Sequence, residues 1–146
     1  MLIQLTPNQI AQAWPGMKEP IRKALIPQME VTDEAMNMIL RNLEQGTSQA
    51  WLLTDVVEDK TIVYAVGITC FSREAITNTK NLLIYSLYGF QFIPDSLWKS
   101  GLHTLLEFAR REGCFKLIAF TLVDRVVDVA RGLGAEVNVR QLTWEV

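Results

Sequence analysis

The sequence predicts an α/β fold: a mixed sheet, antiparallel in its early strands and closed by a parallel strand–helix–strand crossover, with helices on both faces. Three observations carry this. Residues 81–118, NLLIYSLYGFQFIPDSLWKSGLHTLLEFARREGCFKLI, pass from an apolar and aromatic run to helical spacing after Pro94, then back to a buried run. Residues 50–71 hold two strand-like stretches, AWLLTDVV and TIVYAVGITCF, separated by Glu58, Asp59 and Lys60, a polar turn of hairpin length. Ahead of them, capping residues precede apolar positions at helical spacing.

The elements follow in order. Residues 2–5 suit a short first strand. Thr6 as N-cap, Pro7 at the first helical position and Gln9 reaching back start a helix. Pro15 and Gly16 are expected to interrupt it after Trp14, and Pro20 permits a fresh start for IRKALI. Thr32 or Asp33 caps the next helix, with Met36, Ile39, Leu40 and Leu43 as its inner stripe and Gly46 as its end. A polar loop, SREAITNTK, separates the hairpin from the central strand, whose aromatics are Tyr85, Tyr88, Phe90 and Phe92. The following helix carries Trp98, Leu102, Leu105, Leu106 and Ala109 as its stripe, with Asp95 suited to its N-cap and Gly113 as its stop. A buried strand over 115–121, a short helix from Asp124 to Gly132 ended by Gly134, and a tail forming one bent strand or two complete the chain.

At 146 residues, with 21% charged and 49% hydrophobic residues, the chain fits one domain spanning 1–146. A net charge of −2 without a basic stripe disfavours a nucleic-acid module. The start, MLIQLTPNQI, lacks the basic region and apolar core of a signal peptide, and no apolar run approaches the ~20 residues of a membrane helix. Cys70 and Cys114 lie in apolar surroundings and read as reduced core residues, so a cytoplasmic location is expected. His103 is the single histidine, which leaves no multi-histidine metal cluster and little support for a Ser-His-Asp triad.

The stretch LLEFARREGCFKLIAF, followed by ARGLGAEV, resembles the GNAT (N-acetyltransferase-like) superfamily, and the element order is similar over nearly the whole chain. More narrowly, QAWLL, the Trp98 helix and the REGC turn resemble compact GNAT-like proteins of bacteriophages and prophages, which would put the protein in a host cytoplasm. The resemblance implies an acyl-CoA-dependent N-acyltransferase using acetyl-CoA or another acyl-CoA, with an amine acceptor of unspecified kind. Its motif, Q/R-x-x-G-x-G/A, lets main-chain amides approach the pyrophosphate of coenzyme A. The matching positions here are Leu97, Trp98, Lys99, Ser100, Gly101 and Leu102, so the motif is eroded. The family's Asn falls at Val123 and its general-acid Tyr at Ala130, neither of which donates a proton.

By this resemblance, Leu87, Tyr88 and Gly89 would supply main-chain groups to the acyl donor, and Ser96, Lys99, Ser100 and Gly101 the pyrophosphate end. Tyr88 and His103 are the candidate catalytic side chains. His103 is a solvated histidine, a phosphate contact or a proton shuttle. Tyr85 and Tyr88 fall on opposite strand faces unless a bulge intervenes, one in the core and one lining a cleft. Gly89 marks either such a bulge or a plain break in pairing. Arg73 and Glu74 read as solvated charges. The alternative reading is a non-catalytic GNAT-like protein of phage or prophage origin that binds another protein or assembles as a homo-oligomer.

Overall fold

The computed structural model describes residues 1–25 and 31–146. Its elements are β1 (Leu2–Gln4), α1 (Pro7–Lys23), α2 (Asp33–Glu44), β2 (Ser48–Val57), β3 (Lys60–Arg73), β4 (Lys80–Gly89), α3 (Asp95–Arg111), β5 (Leu117–Ala119) and α4 (Asp124–Gly132). The strands lie side by side in chain order. All neighbours are antiparallel except β4 and β5, which are parallel and joined through α3. The expected mixed α/β sheet, with helices on both faces, is therefore the fold of the chain.

Alternation along the strands builds two apolar layers. Ala50, Val66 and Ile68 face Ile10, Met17 and Ile21 of α1 and Met36, Ile39 and Leu43 of α2. Trp51, Leu53, Ala65 and Leu82 point the other way, onto Leu97, Phe108 and Ala109 of α3. Local chemistry fixes several element ends. Thr6 and Gln9 close the expected capping box, and Thr32 Oγ1 accepts from the Ala35 N–H at 3.0 Å. Glu58 and Asp59, at φ 50° and 61°, make the tight β2–β3 turn, leaving Lys60 as the first residue of β3, paired with Val57.

Several expectations need correction. α1 does not break after Trp14; it runs through Pro15, Gly16 and Pro20, because Ile10, Met17 and Ile21 bury one continuous face. The end of IRKALI, Ile26, lies outside the described residues. Asp95 is not the cap of α3: Pro94 holds that position, with no side-chain cap bond. The inner face of α3 is Leu97, Gly101, Phe108 and Ala109, with Trp98 and Leu102 half-buried at its flank. β4 ends at Gly89, so Phe90 and Phe92 lie beyond it. β5 covers only Leu117–Ala119, and residues 135–146 form no strand. A weak alternation makes a strand only when a neighbour supplies main-chain partners, and the tail, exposed throughout, gains none.

Candidate active site

The parting of β4 from β5 creates the site. The two strands pair through Leu82↔Leu117, Leu83↔Ile118 and Ile84↔Ala119, and no further. On its other side β4 stays paired to β3 as far as Gly89, but the register shifts: Ile68 faces Ser86 and Thr69 faces Ile84. Tyr85 is thus an extra residue, a β-bulge at the point where β5 departs. A bulge bends its strand and increases twist, so β4 beyond Tyr85 swings away from β5. Gly89 is paired with Ala65 and is the last residue of β4; the bulge lies at Tyr85 instead.

The bulge also decides which way each group points. Tyr85 and Tyr88 both pack against the α1–α2 layer rather than on opposite faces. Tyr88 meets Phe90 edge-to-face, with ring centroids 5.4 Å apart. Burial, and more weakly Cys70, pushes the Tyr85 phenol above its usual value. The Phe90 N–H donates to Tyr64 O on β3 at 2.9 Å. Antiparallel alternation then turns the main-chain groups of Tyr88 toward β3 as well, and those of Leu87 and Gly89 toward the side β5 leaves open.

A cleft of about 320 Å³ occupies that open side, lined by Leu87, Gly89, Gln91, Phe92, Ile93, Trp98, Val123, Arg125 and Val126. It lies between the end of β4 and the first turns of α3 and α4. A second hollow, about 200 Å³, lies at the opposite end of the sheet beside Ser48, Gln49 and Phe71. Asp95, Ser96, Lys99 and Ser100 are exposed on the first turns of α3, whereas Leu97 and Gly101 are buried. A Cβ on Gly101 would meet Leu53 Cδ1 at 3.6 Å, so this glycine faces β2 rather than the cleft. His103 is exposed on α3 and does not line the cleft.

The structure therefore gathers Leu87 and Gly89 at one wall and the exposed turn of Ser96, Lys99 and Ser100 nearby, while Tyr88, Gly101 and His103 point elsewhere. Sequence reasoning missed Arg125. It lies thirty positions after Asp95, yet Arg125 Nη2 comes within 3.5 Å of Asp95 Oδ1. The signal available was its place in the first turn of the helix after the crossover, where no family motif drew attention to it. Among the described residues, no group of three or more His, Cys, Asp or Glu is placed to hold a metal ion.

No protein-family model and no curated protein matches this sequence. Solved structures do match its fold. AAC(6')-Iy in complex with the bisubstrate analogue CoA-S-monomethyl-acetylneamine is 13% identical, covering 100% of this chain and 97% of that one, with a TM-score of 0.71. A predicted acetyltransferase from Clostridium acetobutylicum, solved with acetyl-CoA, is 12% identical over 99% of this chain and 95% of its own, with a TM-score of 0.68. A GNAT family acetyltransferase from Staphylococcus aureus is 13% identical over 100% and 98%, with a TM-score of 0.64. At such identities the likeness establishes a GNAT-like fold.

Proposed function

We propose that the chain is an acyl-CoA-dependent N-acyltransferase that moves an acyl group from a thioester to an amine. The observation that carries this reading is the parting of β4 and β5 at the Tyr85 bulge, which leaves the Leu87 and Gly89 main chain bordering the cleft. The donor's amide arm would lie along that free edge, pairing as a strand would. The Leu87 N–H would polarise the thioester carbonyl as the amine attacks; the C–S bond then breaks, the amide forms, and the thiol leaves with the amine's proton. Solved neighbours bound to acetyl-CoA and to a CoA bisubstrate analogue support the same ligand class. The acyl group is acetyl or another acyl, and the acceptor is an amine.

The residues test the fit in both directions. Of Ser96, Lys99, Ser100 and Gly101, expected at the pyrophosphate end, the first three are exposed polar groups on the first two turns of α3, and Gly101 is buried against Leu53. Leu97 is buried where the family motif has a basic or amide residue, and Trp98 lines the cleft. The side-chain contact that the motif's basic or amide residue would give is therefore missing at Leu97. Neither Tyr88, packed against the α1–α2 layer, nor His103, exposed on α3 outside the cleft lining, is supported by this arrangement as a proton-handling side chain.

Thermal unfolding with and without acetyl-CoA tests this. A ligand at about a hundred times its dissociation constant stabilises by about 2.7 kcal/mol, a rise of several degrees for a domain of this size. Absence of any shift at several millimolar acetyl-CoA sinks the reading and leaves the alternative, a non-catalytic GNAT-like protein acting through a protein partner. If the shift appears, release of free thiol on adding a panel of amines identifies the acceptor class.

A further inference from the structure

The walls of the cleft carry one charge. The side chains of Leu87, Ile93, Val123 and Val126 offer an anion nothing, Trp98 offers a neutral indole N–H and Gln91 a neutral amide; among the described lining residues Arg125 is the cation. Its guanidinium is loosely held. Nη2 lies 3.5 Å from Asp95 Oδ1, and Cζ lies 5.0 Å from the centroid of the Phe92 ring. The Arg125 and Asp95 side chains are 53% and 86% exposed, and an ion pair so long and so wet exchanges its partner easily.

We propose that Arg125 is the phosphate anchor of the cleft, released by Asp95 to a phosphate of the incoming acyl donor; this rests on the acyl-CoA reading above. A phosphate carries more charge than one carboxylate and accepts two parallel N–H bonds from the guanidinium fork, so it displaces Asp95. Phe92 keeps the guanidinium over the cleft mouth during the exchange. The arrangement compensates for the missing basic residue at Leu97: the cation is supplied by α4 instead of by the turn into α3. Lys99 is exposed on α3 outside the cleft lining. Asp95 sets the affinity by competing with the ligand for Arg125.

Titration calorimetry of the full chain with CoA and, separately, with pantetheine tests the assignment. Arg125→Ala is expected to weaken CoA about tenfold or more and to leave pantetheine unchanged, because pantetheine has no phosphate. Arg125→Lys, which keeps the charge and loses the fork, falls between wild type and Arg125→Ala. Asp95→Asn is expected to tighten CoA by up to about fivefold, the whole value of an exposed ion pair. Equal CoA affinity in wild type and Arg125→Ala overturns the anchor and leaves the acyl-CoA reading standing. An equal loss for pantetheine also overturns it, since that marks a change of cleft shape. Wild-type protein that binds neither CoA nor pantetheine removes both readings.

Discussion

The Ser86 hydroxyl donates to the carbonyl oxygen of Ile21 at 3.1 Å, a buried bond that fastens the residue after the β4 bulge to the last turns of α1. Ile21 stands near the helix end, where its oxygen accepts from the Ala24 N–H at 3.1 Å and keeps a second lone pair for the Ser86 hydroxyl. Leu25 bridges to Ser86 on the same side. The pair joins the α1 layer to the stretch of β4 that borders the cleft. Ser86→Ala is expected to cost about 1 kcal/mol, the usual net value of such a bond, seen as a fall of a few degrees in Tm. If the bond also holds the bulge, acetyl-CoA affinity falls with it; a Tm change with unaltered affinity would confine the pair to stability.

Pro15 gives the second expectation. It sits inside α1, where it supplies no N–H to the preceding turn and its ring crowds the carbonyl there. Ile10, Met17 and Ile21 hold the helix together from the buried side, while Pro15 and Gly16 are exposed. Pro15→Ala therefore restores a bond without disturbing the core. The gain is roughly 2 kcal/mol, the helical penalty of proline less the entropy it removes from the unfolded chain. Chemical denaturation checks it. An unchanged or lower midpoint would mean that the surrounding layer is shaped to the proline.

This same helix shows where sequence reasoning reaches its limit. Thr6, Pro7 and Gln9 specify a start through contacts three residues apart, and these are legible. Whether Pro15 ends the helix depends on what Met17 and Ile21 meet on β3 and β4, which local spacing does not contain. The hairpin at Glu58 and Asp59 was legible for the same reason as the cap: the turn is local. The site was harder. The Tyr85 bulge follows from β3 and β4 having different register on either side of it, and no residue type at 85 announces that. The Asp95–Arg125 contact joins two helix starts far apart in the chain, with Asp95 alone suggesting only a cap.

Gly101 separates a packing role from a binding one. Read by its position in the eroded motif, it belongs to the pyrophosphate end; in the fold it is buried against Leu53. The 3.6 Å spacing is ordinary contact for an added methyl group, and the residue is helical. Gly101→Ala is expected to stabilise by up to about 1 kcal/mol through helix propensity. Acetyl-CoA affinity is expected to stay as in wild type. Loss of binding without loss of stability would instead return Gly101 to the phosphate site.

Acid sensitivity should begin at the β3–β4 loop. Glu74 Oε2 accepts from the Thr77 N–H at 2.6 Å, the Thr77 hydroxyl at 2.9 Å and the Ile76 N–H at 2.9 Å. These bonds, the Thr77 N–H foremost, hold its carboxyl below the ordinary value of 4.5. A depressed folded-state pKa contributes stability that is present above the unfolded value and is lost as pH falls through the folded one. Loop order is therefore expected to be full at neutral pH and to fail on acidifying below that ordinary value of 4.5 and through the lower folded one. Asp33 titrates in the same direction through its bond to Arg22, at the other side of the chain's first layer, so a global melting curve mixes the two. Amide exchange at Ile76 and Thr77 isolates the loop. Glu74→Gln should raise exchange there at neutral pH and flatten its dependence on acid, whereas Asp33→Asn should leave both alone. Acid-dependent exchange that survives in Glu74→Gln would assign the effect to another carboxylate.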